Sequence, residues 1–251
     1  MKVLSFRYSG RFGLFVRAES KVSWLSYPVP PRTALLGLLG AVLGLEKDAP
    51  QGLLGGAYVG VKGEHPRTHW HHAQLHKRLF PPPQPKQVKW TKKKADLESK
   101  EEKEAKGNTE LPTLMMQEWL LGPDYQVFAG LPSPYHEELK ERLIERRWCY
   151  GVSLGLSEML GDLEYIGEEE SERCGEGVYD IATVCRMDEG ELQAKEALER
   201  RLFLQQLQMP REVTEDRVFT MCSYLAERRG QALPVWTQSA YHWGRSHISF
   251  L

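Results

Sequence analysis

Between residues 64 and 94 the chain carries His65, His69, His71, His72 and His76 among Arg67, Lys77, Arg78, Lys86, Lys89 and the run Lys92–Lys94, interleaved with Trp70, Phe80 and Trp90. These residue types suit a single-stranded nucleic acid. Cations neutralise phosphates, and aromatic faces stack exposed bases for about 1–3 kcal/mol each. The same composition also describes a solvated lysine-rich loop whose aromatics fold back into a core, and composition alone leaves both readings standing. The histidines raise a metal reading as well. His69 and His71 would share one face of a strand, His72 and His76 one face of a helix, and the segment cannot be both. No acidic residue lies within ten positions after His76, and the surrounding positive charge disfavours a bound cation. No metal is expected there.

Arg32 is a second candidate. It stands at the start of an apolar, glycine-bearing run for which Thr33 is well placed as the N-cap. Free backbone N–H groups at a helix start favour a phosphate, and Arg32 would add a bidentate clamp. The competing reading is a Thr33 cap beside a solvated arginine. There is no P-loop, GxGxxG, HExxH or GxSxG pattern, so no catalytic residue is assigned. The run Glu168-Glu169-Glu170, followed by Glu172, reads as an exposed turn rather than a paired-carboxylate site.

The elements that must position these residues follow from period and punctuation. Val3–Tyr8 alternates like a strand, Gly10 and Gly13 mark a turn, and Phe15-Val16-Arg17 is extended. Tyr27-Pro28-Val29-Pro30-Pro31 cannot be helical, because each proline holds its predecessor extended. A helix is expected from Thr33 to about Leu45. Its Gly37, Gly40 and Gly44 lie on one face, and close packing on a sheet would offset the roughly 1 kcal/mol that each glycine costs a helix. Ala57–Val61 and Tyr125–Ala129 read as strands, and Pro134–Trp148 as an amphipathic helix with Leu139, Leu143 and Ile144 on its apolar side. Further strands are expected at Glu164–Ile166, Val178–Cys185, Arg217–Tyr224 and Tyr241–Phe250, and a helix at Leu192–Leu207. Residues 64–110 break the pattern and read as a projecting hairpin or arm, mobile near 92–109.

Charge is distributed unevenly along the chain. Residues 1–94 hold 16 Lys+Arg against 4 Asp+Glu, whereas residues 95–251 hold 17 against 30, and the overall charge of −1 hides the difference. One end is suited to a polyanion and the other to solvent or basic protein neighbours. Cys149, Cys174, Cys185 and Cys222 form no CxxC pair. They read as reduced thiols, with neither a zinc ribbon nor a disulfide framework. No secretory signal is read at the N-terminus. The apolar run Ala34–Leu45 is too short to span a bilayer, so a cytoplasmic protein without a membrane partner is expected.

The opening strand, Phe15-Val16-Arg17 and the stretch from Ser26 through Pro31-Arg32-Thr33 to Gly40 together resemble the fifth CRISPR-associated family. These are the crRNA-handle-binding subunits of type I Cascade complexes, in the RAMP superfamily. Thr113–Gly130 and Glu137–Gly167, with Tyr150-Gly151-Val152-Ser153-Leu154-Gly155, resemble the same family, and the flavour is nearest the I-B-like branch. The resemblance spans about residues 1–167. It implies an α+β fold with a ferredoxin-like, RRM-related core, an antiparallel sheet and a basic thumb hairpin inserted at about 64–110. Residues 168–251 would form a less regular C-terminal extension packed on that core.

The same resemblance implies a non-catalytic subunit without cofactors. It would hold the 5′ handle of the crRNA and cap the Cascade backbone filament beside the large subunit, near target DNA at the protospacer-adjacent motif. RNA binding would then draw on Arg17, Tyr27, Arg32, Thr33, Arg67, His69, Trp70, His71, His72, His76, Lys77, Arg78, Lys89, Trp90 and Lys92. One branch of the family cuts pre-crRNA without metal, through a tyrosine, a lysine and a histidine. Tyr27, Lys77 and His76 or His72 are the nominees here, although His76-Lys77 reverses the lysine-then-histidine order. A third reading is a protein-only assembly subunit whose basic region docks an acidic partner. Strong salt dependence of RNA binding would count against it.

Overall fold

A computed structural model gives the structure of residues 1–20, 23–75, 113–214 and 216–251. The chain opens with β1 (Lys2–Gly10), then the short β2 (Phe12–Gly13), β3 (Phe15–Val16) and β4 (Ser26–Tyr27), before α1 (Arg32–Leu43) and α2 (Ala49–Leu53). β5 (Tyr58–Lys62), β6 (Arg67–Leu75), β7 (Thr113–Leu121) and β8 (Asp124–Gly130) follow, then a helix, α3 (Tyr135–Glu145), and β9 (Gly161–Glu170). The main sheet has the order β5-β8-β1-β9 with every neighbouring pair antiparallel.

Strand alternation gives this sheet two buried faces. Leu4, Phe6 and Tyr8 of β1 join Val59, Val61, Tyr125, Val127 and Ala129 in one core with the apolar side of α1 and with Leu139 and Leu143 of α3. Val3 and Phe128 point the other way, against Ile248 and Phe250. Along the outer edge of β5, Val184 N donates to Val61 O at 2.9 Å and Leu251 N to Val59 O at 2.8 Å.

α1 forms because Leu35, Leu36, Leu38, Leu39, Val42 and Leu43 bury together, and it ends where Gly44 turns left-handed at φ 78°. Its start differs from the expectation. Pro31 is the N-cap, no side chain caps the helix, and Thr33 lies inside the first turn. The glycine face does not pack on a sheet either. A Cβ at Gly40 would meet Pro50 Cγ of α2 at 2.2 Å, whereas one at Gly37 would meet nothing within 4 Å. Close helix–helix packing is therefore what requires glycine at position 40. Gly37 instead opens onto a groove of about 740 Å³ that also borders Thr33, Tyr150 and Phe219.

The C-terminal part adds β10 (Gly177–Ile181), β11 (Cys185–Arg186), β12 (Gly190–Leu192), α4 (Ala194–Glu199), β13 (Leu204–Val213), β14 (Phe219–Glu227), β15 (Leu233–Thr237), β16 (Tyr241–Trp243) and β17 (Ser246–Ile248). They make one sheet of order β12-β15-β10-β17-β16 and another of order β11-β14-β13. The helix expected over Leu192–Leu207 lasts six residues, and a ten-residue strand begins at Leu204. Burial there alternates through Leu207 and Met209, a period of two that a helix cannot satisfy. Nor are Glu168, Glu169 and Glu170 a turn, since they end β9. Glu168 accepts from His136 Nε2 at 2.9 Å and Lys140 Nζ at 2.7 Å. Among the described residues no helix is long and apolar enough to cross a membrane.

Candidate nucleic-acid interface

β6 and β7 pair antiparallel from Arg67 opposite Leu121 to Leu75 opposite Thr113. Directly opposed residues share a face. Arg67, His69 and His71 therefore stand with Trp119 and Gln117, while Trp70 and His72 stand on the other side with Glu118 and Met116. Arg67, His69 and His72 are exposed, and so is Trp70, at 44%. His71 is half-buried and stacks on Trp119 with ring centroids 4.0 Å apart. The base of the ladder is anchored to the body: Trp24 N donates to Met116 O at 2.7 Å, Glu118 N to Trp24 O at 2.8 Å, and Phe12 of β2 packs on Trp119 at 5.3 Å.

The histidines of this region do not converge. His65 turns inward, where its Nδ1 lies 3.1 Å from Gln205 Oε1 and burial pulls its pKa below the ordinary value. Among the described residues none of His65, His69, His71 and His72 joins a group able to hold a metal. His76, Lys77, Arg78, Lys89, Trp90 and Lys92 lie outside the described residues, as does the segment expected to be mobile.

Arg17 lies behind the ladder's base. Its Nε donates to Ser26 O at 3.1 Å, and its guanidinium sits 5.7 Å from the centre of the Tyr27 ring. Tyr27 itself is a core residue, 2% exposed. Its hydroxyl donates to Glu19 Oε2 at 3.2 Å and is pushed up to about 12 by burial. A phenol so placed neither stacks on a base in solvent nor ionises readily, which removes Tyr27 from the surface set.

Arg32 also departs from its expected place. The residue is 4% exposed, and its guanidinium turns inward to three carbonyls: Gly55 O at 2.5 Å, Ala57 O at 3.2 Å and Arg211 O at 3.3 Å. Burial first, and then the charge of Arg211, lower its pKa. Arg32 thus ties the start of α1 to the segment before β5 and to β13. It borders a polar cavity of about 380 Å³ whose wall also carries Arg173, Arg186 and Arg211.

Arg186 is ion-paired with Asp188 and Glu189, whereas Arg211 Nε is buried without a partner among the described residues. A β-bulge sets Arg211 apart: Pro210 opposes Met221 and Glu212 opposes Thr220, leaving Arg211 unpaired between them. Guanidinium groups converging in this way suit oxyanions such as phosphate. Sequence reasoning missed Arg173, Arg186 and Arg211, which lie 141 to 179 positions from Arg32 and share no local motif with it. A bulge residue leaves no periodic trace.

The family described as CRISPR-associated protein (Cas_Cas5) matches residues 3–176. The chain belongs to that family. The Cas5 match takes in the main sheet from Val3 onward, α1 to α3 and the β6–β7 ladder, and stops just before β10. No curated protein matches the sequence. Solved structures that resemble this Cas5 chain include a chain of a CRISPR RNA-guided surveillance complex, 12% identical with a TM-score of 0.49 over 92% of this chain and 91% of that one. A second is a Cas protein, 12% identical with a TM-score of 0.46 over 92% and 95%. A third belongs to a Type III-B Cmr-beta complex bound to cognate target RNA and AMPPnP, 12% identical with a TM-score of 0.43 over 93% and 86%.

Proposed function

We propose that this Cas5 protein is the crRNA-binding, non-catalytic subunit of a type I Cascade effector. It grips the 5′ handle and caps the backbone filament beside the large subunit. The observation that carries the reading is the β6–β7 ladder, where Trp70 and His72 stand open to solvent on one face and Arg67 and His69 on the other. That arrangement sets a stacking ring beside an imidazole and places the Arg67 cation on the same pair of strands.

Three further features support it. We read the succession β1-α1-β5-β8-α3-β9, with its antiparallel order β5-β8-β1-β9, as a split βαβ pattern, which supports a ferredoxin-like, RRM-related core. The basic run Lys86–Lys94 follows β6 in the chain. The cavity walled by Arg173 and Arg211 offers a second seat for phosphate oxygens. The proposed contact set is Arg17, Arg67, His69, Trp70, His71 and His72, with His76, Lys77, Arg78, Lys89, Trp90 and Lys92 beyond β6. Arg32, turned inward to Gly55, Ala57 and Arg211, is left out of that set.

The test is to mix the purified protein with end-labelled repeat RNA in EDTA and run native and denaturing gels from the same tubes. A mobility shift without new bands is expected. New bands that vanish in a His72/His76 double variant would make the protein a processing nuclease instead.

A further inference from the structure

Cys174, His242 and His247 meet at the β16–β17 hairpin of the C-terminal sheet. The sulfur and one nitrogen of each ring all lie within 4.8 Å of one another. The backbone builds this meeting. His242 and His247 are direct partners across the β16–β17 hairpin, with ring centroids 4.6 Å apart. Cys174 N donates to Ala240 O at 2.8 Å, and a bridge joins Arg173 to Tyr241. The segment holding the thiol is thereby stitched to the strand holding the first imidazole.

We propose that these three side chains form a zinc site. One thiolate and two imidazoles are a borderline-soft donor set that suits Zn²⁺ over Mg²⁺ or Ca²⁺. Zinc at about 2.0–2.1 Å from nitrogen and 2.3 Å from sulfur holds tetrahedral ligand atoms roughly 3.3–3.6 Å apart. Closure from the observed spacing therefore needs about an ångström of side-chain rotation. The thiol proton must leave to solvent as the Zn–S bond forms. The fourth position is open to water or to a donor from a partner.

The metal would clamp residue 174 to the hairpin that leads into Ile248 and Phe250, the residues covering the back of the main sheet. Its role is structural, and it is independent of RNA binding.

The full chain, stripped with a chelator, is titrated with Co²⁺ and then Zn²⁺. One Co²⁺ per chain is expected, with a near-ultraviolet sulfur-to-cobalt charge-transfer band that Zn²⁺ abolishes. The band should be absent in Cys174→Ser, and His242→Ala and His247→Ala should each weaken Zn²⁺ by more than about tenfold. Absence of the band, or its persistence in Cys174→Ser, overturns the site. Zinc-edge X-ray absorption on the unaltered protein needs no variant. One sulfur and two imidazole nitrogens in the shell support the proposal, and a shell without sulfur overturns it.

Discussion

Glu168 is only 15% exposed on its side chain, yet it keeps its charge because two donors reach it. Burial by itself raises its pKa, but the hydrogen bonds from Lys140 and His136 outweigh burial and hold it below the ordinary carboxylate value. A carboxyl depressed in the folded state stabilises the fold above its unfolded pKa, and that contribution is lost as pH falls through the folded value. Glu168→Gln should therefore flatten the acid limb of a plot of thermal midpoint against pH; an unchanged limb would mean the cluster contributes nothing. Arg32 carries a different liability, since its removal orphans the carbonyls of Gly55 and Ala57. Arg32→Met should cost about 1–3 kcal/mol in urea unfolding, with RNA affinity of the folded fraction nearly kept. A folded variant that has lost affinity would return Arg32 to the contact surface.

At the scale of elements, α1 and the β6–β7 ladder make opposite demands. Gly40→Ala pushes a methyl group into Pro50 and should destabilise by about 1–3 kcal/mol. Gly37→Ala faces open space and should stabilise by about 0.5–1 kcal/mol. Equal midpoints for the two would mean that α2 yields freely. On the ladder, Trp70→Ala should weaken RNA binding by about 1–3 kcal/mol without moving the thermal midpoint; a molten variant would make the indole a core group.

These contrasts show what the sequence reveals. The alternation Val3–Tyr8, the apolar run of α1 and the period of α3 are local signals, and each element stands close to where it was expected. Strand Leu204–Val213 is hidden because the helix-forming Ala194–Glu199 ends only four residues before it, and only Leu207 and Met209 carry its alternation. Where Arg32 points depends on Gly55, Ala57 and Arg211, which lie 23 to 179 positions along the chain. The Cys174–His242–His247 group has no spacing to read, because tertiary pairing alone unites it.

For the whole molecule, the basic first segment and acidic remainder predict salt-sensitive association. If RNA is the partner, the logarithm of affinity should fall against that of salt with a slope of about −0.7 for each phosphate neutralised. A flat line would favour a protein partner. The outer edge of β5 has a consequence of another kind. Its carbonyls at Val59 and Val61 are satisfied by Leu251 and Val184, the former separated by 192 positions. During synthesis β5 leaves the ribosome long before either donor, and the main sheet can assemble with that border unzipped. A nascent or proteolysed chain ending before residue 184 would carry a bare strand edge beside uncovered Val3 and Phe128, a template for pairing with its own copies. Sedimentation of a fragment ending at residue 176, which lacks both donors, should accordingly show more self-association than the full chain.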